Sequence, residues 1–581
     1  MADVFQANRG DAAASNTELW PFEEARRIAE RVAGYAPSRP VIFESGFGPS
    51  GLPHLGTMAE VLRPAFVRKA LAQLEPARAS RLIVFIDDMD GLRKVPENVP
   101  NREATARHLG EPVSKIPDPF GCCVSFADHM IGLLGGFLAP VEADYELMRS
   151  SEMYASGKFD DGLKRILEKH AEIIAIITPT LREENRAGWS PFMPICPKCR
   201  QINSTLVTAY HPERATVEFS CERHFGNAHP CGHRAEQSIL GGMAKVQWKV
   251  DWALRWYVLQ VDYELYGKDL IDSARLSGEI LKVLGGNPPL GFPFEMFLDE
   301  EGRKVSKSVG RGVTVDQWTR YAPIEVLKYF LLLNPRRARK LFLEAIPQYV
   351  DEYLDALREY STMAKADRQA APLEFVLQTN SARRFDSELS FGMIMNLVAA
   401  LGTSDGELIW NYLVVYDTRA ISIQPPGGQE NWERTAPIKD DQETARMGRA
   451  LIECALNFYR DFIEPTKKPY DFTDAEREQL EALRKFLLDK PGATDEEIER
   501  AIYEIGRANY DKPGKIFPLI YRAILCQERG PRVGKFIRVA NATPISVSSQ
   551  TPPPSGGKAG GAGTTPRIVE LLDAAIARGS G

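Results

Sequence analysis

Three polar segments of this sequence combine residue types and spacings that could carry out chemistry. The first is the turn GFGPSGLPHLGT at residues 46–57, which holds four glycines and His54. The second is a charged loop in which Lys304 and Lys307 flank Ser306. The third is a run of cysteines and histidines at residues 196–233. The first two segments suit the binding of phosphate groups, and the third suits the binding of a metal ion.

The glycine-rich turn must be positioned by the elements on either side of it. The apolar run at 40–43 predicts a buried strand before the turn, and residues 58–62 predict the start of a helix after it. Glycines let a backbone approach phosphate closely, and the unpaired amides of a helix N-terminus favour negative charge. The spacing matches neither the GxGxxG pattern nor the Walker A pattern. A single histidine at such a turn more often has a structural or capping role than a chemical one.

The lysine-containing loop has an alternative interpretation, since charged loops are usually solvent-exposed surface. Carboxylates are a further cue, because Asp87 and Asp88 follow the apolar run 81–86, which predicts a second buried strand. Side chains at the carboxyl end of a parallel strand lie where open α/β sheets bind ligands. The same acids could instead cap the segment that follows.

The turn and the loop together resemble the HIGH and KMSKS signatures of class I aminoacyl-tRNA synthetases, here HLGT and KVSKS in the same order. Further segments extend the resemblance over about residues 20–345, and more loosely over the helical half that follows. They are DDMDGLRKVPENVPN, PDPFG, SPFMPICPKC, QWKVDWALRW and YGKDLIDS. The sequence is therefore similar to class I lysyl-tRNA synthetases, a family related in fold to glutamyl-tRNA synthetase.

This resemblance implies an α/β fold. We expect a Rossmann-like parallel sheet of the class I synthetase type, an insertion with a zinc-ribbon-like segment, and an all-helical C-terminal domain. The implied reaction uses ATP with Mg²⁺ to activate L-lysine to lysyl-adenylate, and then transfers the lysyl group to the 3′ end of tRNA(Lys). Two alternatives stay open: a glutamyl-type class I synthetase, and a non-catalytic tRNA-binding paralogue.

The resemblance also implies site residues, by matching the family's motifs to this sequence. It implies catalytic roles for His54, Lys304 and Lys307. It implies ATP contacts from those three and from Gly51, Gly56, Gly267, Asp269 and Ser306. It places the amino acid near Gly46, Gly48, Trp248, Asp87 and Asp88. It leaves open which acid meets the lysine ammonium, among Glu44, Asp87, Asp88 and Asp90. The sequence departs from the family at Gly48, Thr57 and Leu270, where other members carry threonine, histidine and histidine.

The cysteine-rich segment predicts a zinc site. Cys196 and Cys199 form a CxxC knuckle, and candidate partners follow at Cys221, His224, His229, Cys231 and His233. Tetrahedral zinc binds cysteine and histidine at such spacings, in ribbons too small to fold unaided. Cys221 and Cys231 are the favoured second pair. One thiol with a histidine is an alternative, and so is a ribbon that no longer binds metal.

Composition narrows the class of protein. The chain has 581 residues, eight cysteines and a formal net charge of −6. This net charge argues against a globally basic nucleic-acid binder, so contacts with RNA must come from local patches. The sequence shows no transmembrane run and no secretory signal, and its few cysteines do not suggest a disulfide framework. We therefore expect a cytoplasmic protein that acts away from membranes, in an oligomeric state that the sequence does not indicate.

The order of segments predicts a domain organisation. We expect a disordered tail at 1–17, the first half of the catalytic domain at 18–140, and an insertion at 141–245 with its ribbon at 196–233. The second catalytic half with the KVSKS loop is expected at 246–320, a helical anticodon-binding domain at 321–540, and a flexible tail at 541–581.

Overall fold

The computed structural model describes residues 19–141, 143–224, 230–303, 313–377, 389–418, 442–468, 470–541 and 566–578. The chain divides into two compact units, one of residues 1–315 and 328–342, the other of residues 316–327 and 343–581. This division does not test the six domain limits expected from the sequence, which stay predictions.

The first unit contains all the strands of the described residues. They are β1 (Val41–Phe47), β2 (Ser80–Ile86), β3 (Glu146–Arg149), β4 (Phe192–Pro194), β5 (Thr205–His211), β6 (Thr216–Cys221), β7 (Arg234–Ser238), β8 (Ala244–Val246), β9 (Tyr263–Glu264), β10 (Tyr266–Gly267), β11 (Pro293–Phe294), β12 (Phe297–Leu298) and β13 (Arg339–Lys340). Its helices are α1 (Trp20–Val32), α2 (Leu55–Leu74), α3 (Arg102–Ala106), α4 (Phe126–Leu138), α5 (Ser150–Ala155), α6 (Asp160–Glu168), α7 (His170–Ile177), α8 (Trp248–Leu259) and α9 (Ile271–Leu284).

A parallel sheet lies at the centre of the first unit, with the strand order β3-β2-β1-β9. β1 pairs with β2 in parallel from Val41↔Ser80 to Phe47↔Ile86. Both strands are almost wholly buried along their central residues, as expected when a parallel sheet is covered on both faces. Two short parallel pairs follow, β10 with β11 and β12 with β13. The parallel α/β fold expected from the sequence is confirmed.

The insertion between the sheet strands carries a small antiparallel layer. β5, β6 and β7 form a three-stranded sheet, and β4 pairs with β8. Cys196, Phe219 and Cys221 are buried together beside this layer. Such a small cluster offers little apolar surface, which is the usual situation of a ribbon that depends on a metal.

The described residues of the second unit form helices and turns only. The helices from its start onward are α10 (Val315–Thr319), α11 (Ile324–Leu332), which continues into the first unit, α12 (Ile346–Thr362), α13 (Lys365–Arg368), α14 (Pro372–Val376), α15 (Phe391–Leu401), α16 (Gly406–Thr418), α17 (Gln442–Phe458), α18 (Asp474–Asp489), α19 (Asp495–Asn509), α20 (Ile516–Leu525), α21 (Val533–Asn541) and α22 (Arg567–Ala577). Capping boxes at Thr473–Glu476 and Thr494–Glu497 begin α18 and α19.

The last helix differs from the expected flexible tail at 541–581. α22 packs on α18, α20 and α21, and it buries Ile568, Val569 and Leu572 completely. Arg484 of α18 also pairs with Asp573. An apolar stripe at helical spacing can be buried by a bundle even after a long polar linker, which explains the difference. In the described part of the chain, no helix has the length and apolar character needed to span a membrane.

Candidate active site

The glycine-rich turn connects the C-terminal end of β1 to the N-terminus of α2. His54 is the N-cap residue of α2, with an extended backbone, and its Nδ1 accepts a hydrogen bond of 2.9 Å from the amide of Gly56. In the neutral imidazole, this arrangement places the ring hydrogen on Nε2. The capping role and the chemical role of His54 are therefore compatible, since one nitrogen fixes the ring and the other is a donor.

Gly56 is required by the position of the His54 ring. A Cβ at residue 56 would lie 2.6 Å from Cε1 and 2.8 Å from Nδ1 of His54, closer than non-bonded carbon atoms approach. At Gly48 and Gly51 a Cβ would meet no atom of the described residues within 4 Å. With respect to these residues, a ligand could approach the turn closely at both glycines.

The other predicted phosphate contacts divide into two groups. Gly267 ends β10, and a Cβ there would lie 2.6 Å from Oδ1 of Asp269, so these two residues are packed closely together. Lys304, Ser306 and Lys307 lie outside the described residues.

A buried arginine lies at the carboxyl ends of β1 and β2. Nη1 of Arg255, on α8, lies 3.5 Å from Oε1 of Glu44 and 3.4 Å from Oδ1 of Asp87. Nε of Arg255 lies 3.9 Å from Oδ2 of Asp251, one helical turn earlier. The guanidinium also lies 4.6 Å above the ring centre of Phe85. Three carboxylates thus share one fully buried cation.

Lys245 supplies a second buried cation next to this group. It pairs with Asp90, and its Nζ lies 3.8 Å from Oδ2 of Asp251. The hydroxyl of Tyr154 donates a 2.5 Å hydrogen bond to the other oxygen of Asp251. Asp251 therefore accepts a hydrogen bond from Tyr154 through Oδ1, while its Oδ2 faces the two cations at ion-pair distance.

Glu264 adds another carboxylate on β9. Its Oε2 accepts hydrogen bonds from the indole nitrogens of Trp252 (2.9 Å) and Trp256 (2.5 Å). Trp248 stacks on Trp252 with ring centres 5.0 Å apart, and Arg255 lies 5.8 Å from the Trp248 ring centre. The predicted wall residue Trp248 thus lies beside the buried charges, with one face covered by Trp252.

We call Glu44, Asp87, Lys245, Asp251, Arg255 and Glu264, together with the partly exposed Asp90 that pairs with Lys245, the buried charge cluster. Burial raises the pKa of Glu44 well above its usual range, and the nearby charge of Glu264 raises it further. Burial likewise raises the pKa of Asp87 to about 7, against the opposing effect of Arg255. Burial also raises the pKa of Glu264, so Glu44, Asp87 and Glu264 retain protons to higher pH than exposed carboxyl groups do.

The contacts of the four acids that the sequence left as candidates for binding the lysine ammonium differ from one another. Asp88 accepts from Nε of Arg149 (2.9 Å), from the amide of Ser151 (2.7 Å) and from its hydroxyl (2.5 Å), so it is already saturated. Asp90 pairs with Lys245. Glu44 and Asp87 lie together at Arg255, and neither oxygen of Glu44 has a hydrogen-bond partner among the described residues.

The remaining predicted residues lie close to this edge of the sheet. A Cβ at Gly46 would lie 3.7 Å from Nη1 of Arg255, so Gly46 borders the buried charge cluster. Thr57 is 1% exposed, and it is a packing residue of α2. It therefore does not take the place of the second histidine of HIGH in the cleft.

The four predicted zinc ligands meet at one point of the insertion. The sulfur atoms of Cys196, Cys199, Cys221 and Cys231 all lie within 4.8 Å of one another. Cys196 and Cys231 are 3.6 Å apart, as are Cys199 and Cys221. Sulfurs around a tetrahedral zinc ion are separated by about 3.8 Å, given Zn–S bonds of about 2.3 Å. This donor set fits zinc, and all eight cysteines are free thiols.

Sequence reasoning missed the charged members of α8 and its neighbours. Lys245, Asp251, Arg255 and Glu264 were not singled out, although Asp251 and Arg255 were visible in the segment QWKVDWALRW. The signal that could have found them was an acid and a base four residues apart in a tryptophan-rich segment. A helix this apolar is expected to be buried, and charged residues are rarely buried without a partner, so the two residues could have been predicted to pair.

Comparison with known proteins decides the family. The family described as tRNA synthetases class I (K) matches this chain over residues 18–379. The chain belongs to this family. Class I (K) synthetases are therefore the context in which the His54 turn and the buried charge cluster must be interpreted.

Named relatives of this class I synthetase chain cover nearly its whole length. It is 38% identical to the lysine–tRNA ligase of Rickettsia felis over 93% of this chain and 97% of the relative. It is 37% identical to that of Rickettsia bellii, covering 90% and 96% of the two chains. A glutamate tRNA ligase structure from Elizabethkingia meningosepticum aligns over 93% of this chain and 99% of its own, with 11% identity and a TM-score of 0.38. This TM-score is too low for the site residues of the two proteins to be compared.

Proposed function

We propose that this class I (K) synthetase is a lysine–tRNA ligase. It activates L-lysine with ATP and transfers the lysyl group to the 3′ end of tRNA(Lys). The observation that carries the proposal is the identity of 37–38% to lysine–tRNA ligases over more than nine-tenths of the chain. The acid-rich cluster beside the turn supports the choice of a cationic amino acid.

Activation requires no covalent enzyme intermediate. The lysine carboxylate attacks the α-phosphorus of ATP, and pyrophosphate leaves. Catalysis then consists of positioning and of charge stabilisation on the phosphates. We assign one side of that task to the N-terminal amides of α2 and to Nε2 of His54, and the other to Lys304 and Lys307. Mg²⁺ would accompany the ATP phosphates and neutralise part of their charge.

Lysine selection is assigned to the buried charge cluster and its surroundings. An ammonium group needs an anionic end and an apolar wall along its stem. Glu44, within β1, and Asp87, directly after β2, both lie within 3.5 Å of Nη1 of Arg255, and Gly46 borders this arginine without a side chain. Trp248 is assigned to the wall. Arg255 is a buried cation in the same place, but three carboxylates already surround it.

ATP–pyrophosphate exchange against single amino acids tests the proposal. We expect exchange with lysine to exceed exchange with glutamate or arginine by a factor of about 10³ or more, because a site built for an ammonium leaves buried charges unpaired with the wrong side chain. Exchange with glutamate alone would replace the proposal with the glutamyl-type alternative. Lack of exchange with any amino acid, while tRNA still binds, would favour the non-catalytic paralogue.

The pH dependence of lysine recognition follows from the pKa of Asp87. A carboxyl group with a pKa of about 7 is largely protonated at pH 6 and largely ionised at pH 8. The lysine ammonium binds the ionised form, so its binding releases a proton and strengthens as pH rises through 7. We expect the Michaelis constant for lysine to be about tenfold lower at pH 8 than at pH 6, the change for one linked proton.

Measurement of exchange at the two pH values, with ATP saturating, gives this ratio. The Michaelis constant for ATP is the internal control, because no ATP phosphate is assigned to Asp87. The substitution Asp87→Asn should weaken lysine binding and remove its pH dependence. A lysine Michaelis constant that is equal at both values in the unaltered protein would exclude Asp87 from ammonium recognition.

A structural zinc ion is proposed in the ribbon, held by Cys196, Cys199, Cys221 and Cys231. When bound, it would cross-link β6, the knuckle and the segment before β7, and it takes no part in the reaction. We expect Cys196→Ser with Cys199→Ser to lose about one zinc per chain relative to the unaltered protein, since two of four ligands are removed. Elemental analysis measures the difference.

Cys526→Ser serves as the matched control for the ribbon, because Cys526 lies outside the ribbon and belongs to no cluster of metal-binding side chains among the described residues. Its zinc content should equal that of the unaltered protein. Equal zinc in the ribbon variant and in this control would show that the four thiols hold no metal.

The proposed partners are L-lysine, ATP and tRNA(Lys). The expected place of action is the cytoplasm, in keeping with the eight free thiols. The second, helical unit is assigned to the anticodon side of the tRNA, as the sequence resemblance implied.

A further inference from the structure

One buried cation of the first unit lies outside the buried charge cluster. Arg63, on α2, is 3% exposed. Its Nε and Nη1 are buried, and in the described part of the chain neither has a hydrogen-bond partner. Arginine is almost never fully buried unless it is paired, because its charge loses the water around it. An arginine at such a position is therefore expected to have a role that an apolar side chain could not fill.

Two aromatic rings surround the guanidinium group of Arg63. Its central carbon lies 4.6 Å from the ring centre of Phe294 and 5.3 Å from that of Phe297. Both rings are buried, and a desolvated cation is attracted to the faces of such rings. Burial lowers the pKa of Arg63 to about 10, against the nearby charge of Glu60, so the group stays charged at neutral pH.

The ring of Phe294 lies beside one of the predicted ATP-binding segments. Phe294 is the last residue of β11, and it is paired with Gly267 of β10. A Cβ at Gly267 would lie 3.8 Å from Cε2 of Phe294 and 2.6 Å from Oδ1 of Asp269. A shift of the Phe294 ring would therefore disturb the close packing between Gly267 and Asp269.

The other ring belongs to the strand that precedes the lysine-containing loop. Phe297 is the first residue of β12, and the chain continues from this strand toward Lys304. Arg63 itself lies on the helix whose N-cap residue is His54. One buried guanidinium thus joins the helix of the His54 turn to the strands next to both other predicted ATP-binding segments.

The helix α2 needs support at this point. Pro64 follows Arg63 inside the helix. Proline has no amide hydrogen to donate to the carbonyl four residues earlier, here that of Glu60, so the ladder of hydrogen bonds is interrupted. Helices bend most readily at such positions. A cation held between two rings next to Pro64 fixes the direction of the turns that begin at His54.

We infer that Arg63 is a positioning residue for ATP. Because it is buried, it acts on the nucleotide through α2 and through the strands of Phe294 and Phe297. The inference rests on the proposed ATP contacts of His54, Gly267 and Asp269 and deepens them. It does not depend on which amino acid is activated.

The substitution Arg63→Met separates positioning from packing, because methionine fills much of the same volume without the charge. We expect the variant to melt at the same temperature or higher, since replacing a buried charge by an apolar group of similar volume is often neutral or stabilising. We expect its dissociation constant for ATP to rise about tenfold, because a small displacement of the binding segments weakens several contacts together. Equilibrium dialysis of the full chain with ATP and Mg²⁺ measures this constant.

Two further variants control for the loss of an arginine from α2. Arg63→Lys keeps a cation beside the rings, so it should recover at least half of the lost ATP affinity. Arg68→Met is the matched control, because Arg68 lies on the same helix and binds Ser80 and Asp144 instead. Its dissociation constant for ATP should equal that of the unaltered protein.

A double-mutant cycle with Phe297→Leu tests the contact itself. In the Phe297→Leu background, we expect Arg63→Met to weaken ATP binding by much less than tenfold, because the two side chains act as a pair. In pyrophosphate exchange, the Michaelis constant for ATP should rise in Arg63→Met while that for the amino acid stays unchanged.

The inference is overturned if Arg63→Met binds ATP as tightly as the unaltered protein. It is also overturned if this variant melts at a clearly lower temperature and both Michaelis constants rise together, since a general packing role has that result. Failure of the unaltered chain to bind ATP would overturn it together with the proposed ATP contacts. ATP binding without lysine-dependent exchange would contradict only the lysine assignment, and dialysis of the variants would still decide the role of Arg63.

Discussion

The substitution Gly56→Ala is expected to slow lysyl-adenylate formation about a hundredfold, the effect of losing one positioned donor to the reacting phosphates. The added Cβ would lie 2.6 Å from Cε1 and 2.8 Å from Nδ1 of His54, so the imidazole must leave its position. The hydrogen bond from the Gly56 amide to Nδ1 would be strained in the same movement. Pre-steady-state measurement of adenylate formation gives the rate.

A double-mutant cycle shows whether Gly56→Ala acts through His54. In the His54→Ala background the clash disappears, so we expect the added methyl group to have almost no further effect. Gly34→Ala is the matched control, because a Cβ there meets no atom within 4 Å in the described part of the chain and the residue lies outside the turn. Additive effects of the two substitutions would instead indicate that Gly56 contacts the nucleotide directly.

The substitution Arg255→Met is expected to lower the free energy of unfolding by about 3–5 kcal/mol, as for removing one partner from a buried ionic group. Glu44, Asp87 and Asp251 would lose the cation that they share. Methionine keeps most of the side-chain volume, so the loss reports charge more than packing. Urea unfolding followed by tryptophan fluorescence measures it, because three tryptophans lie in α8.

The effect of Arg255→Met should depend on pH in a defined direction. Without the arginine, the pKa values of Glu44 and Asp87 in the folded protein rise further above their unfolded values. The folded state then binds more protons than the unfolded state, so stability falls as pH rises. The loss should therefore be larger at pH 8 than at pH 6.

Arg275→Met is the matched control for the buried charge cluster. Arg275 forms an exposed pair with Glu279 on α9. Such surface pairs contribute about 0.5 kcal/mol or less, with little dependence on pH in this range. Similar small losses in the free energy of unfolding for both variants would mean that Arg255 does not form stabilising ion pairs with the cluster.

Much of the fold was predictable from local patterns. Apolar runs at 40–43 and 81–86 predicted the two central strands, and they form β1 and β2 with extensions of a few residues. The CxxC knuckle and the later cysteines predicted a four-thiol group, and the sulfurs converge. These features could be predicted because glycine-rich turns, apolar runs and cysteine spacings each depend on residues that are close together in the sequence.

The identity of the buried charge cluster was not predictable in the same way. Glu44, Asp87, Asp251, Glu264 and Lys245 come from four strands or strand ends and one helix, far apart in the sequence. Each acid taken alone is compatible with a cap or a surface position. The tertiary fold brings Glu44, Asp87 and Asp251 within 4 Å of Arg255, and Asp251 within 4 Å of Lys245. It also excludes water, and burial raises the pKa of Glu44 and of Asp87.

By itself, the sequence determined the class of protein, the His54 turn and the ribbon, because each is encoded by residues that are close together in the chain. The tertiary structure alone decided which of the candidate acids already have partners within the chain. It showed that Asp88 is saturated by Arg149 and Ser151, and that Asp90 is paired with Lys245. Which buried charges pair depends on distances across the sheet and on the exclusion of water. Neither can be predicted from the spacing of residues in a short segment of sequence.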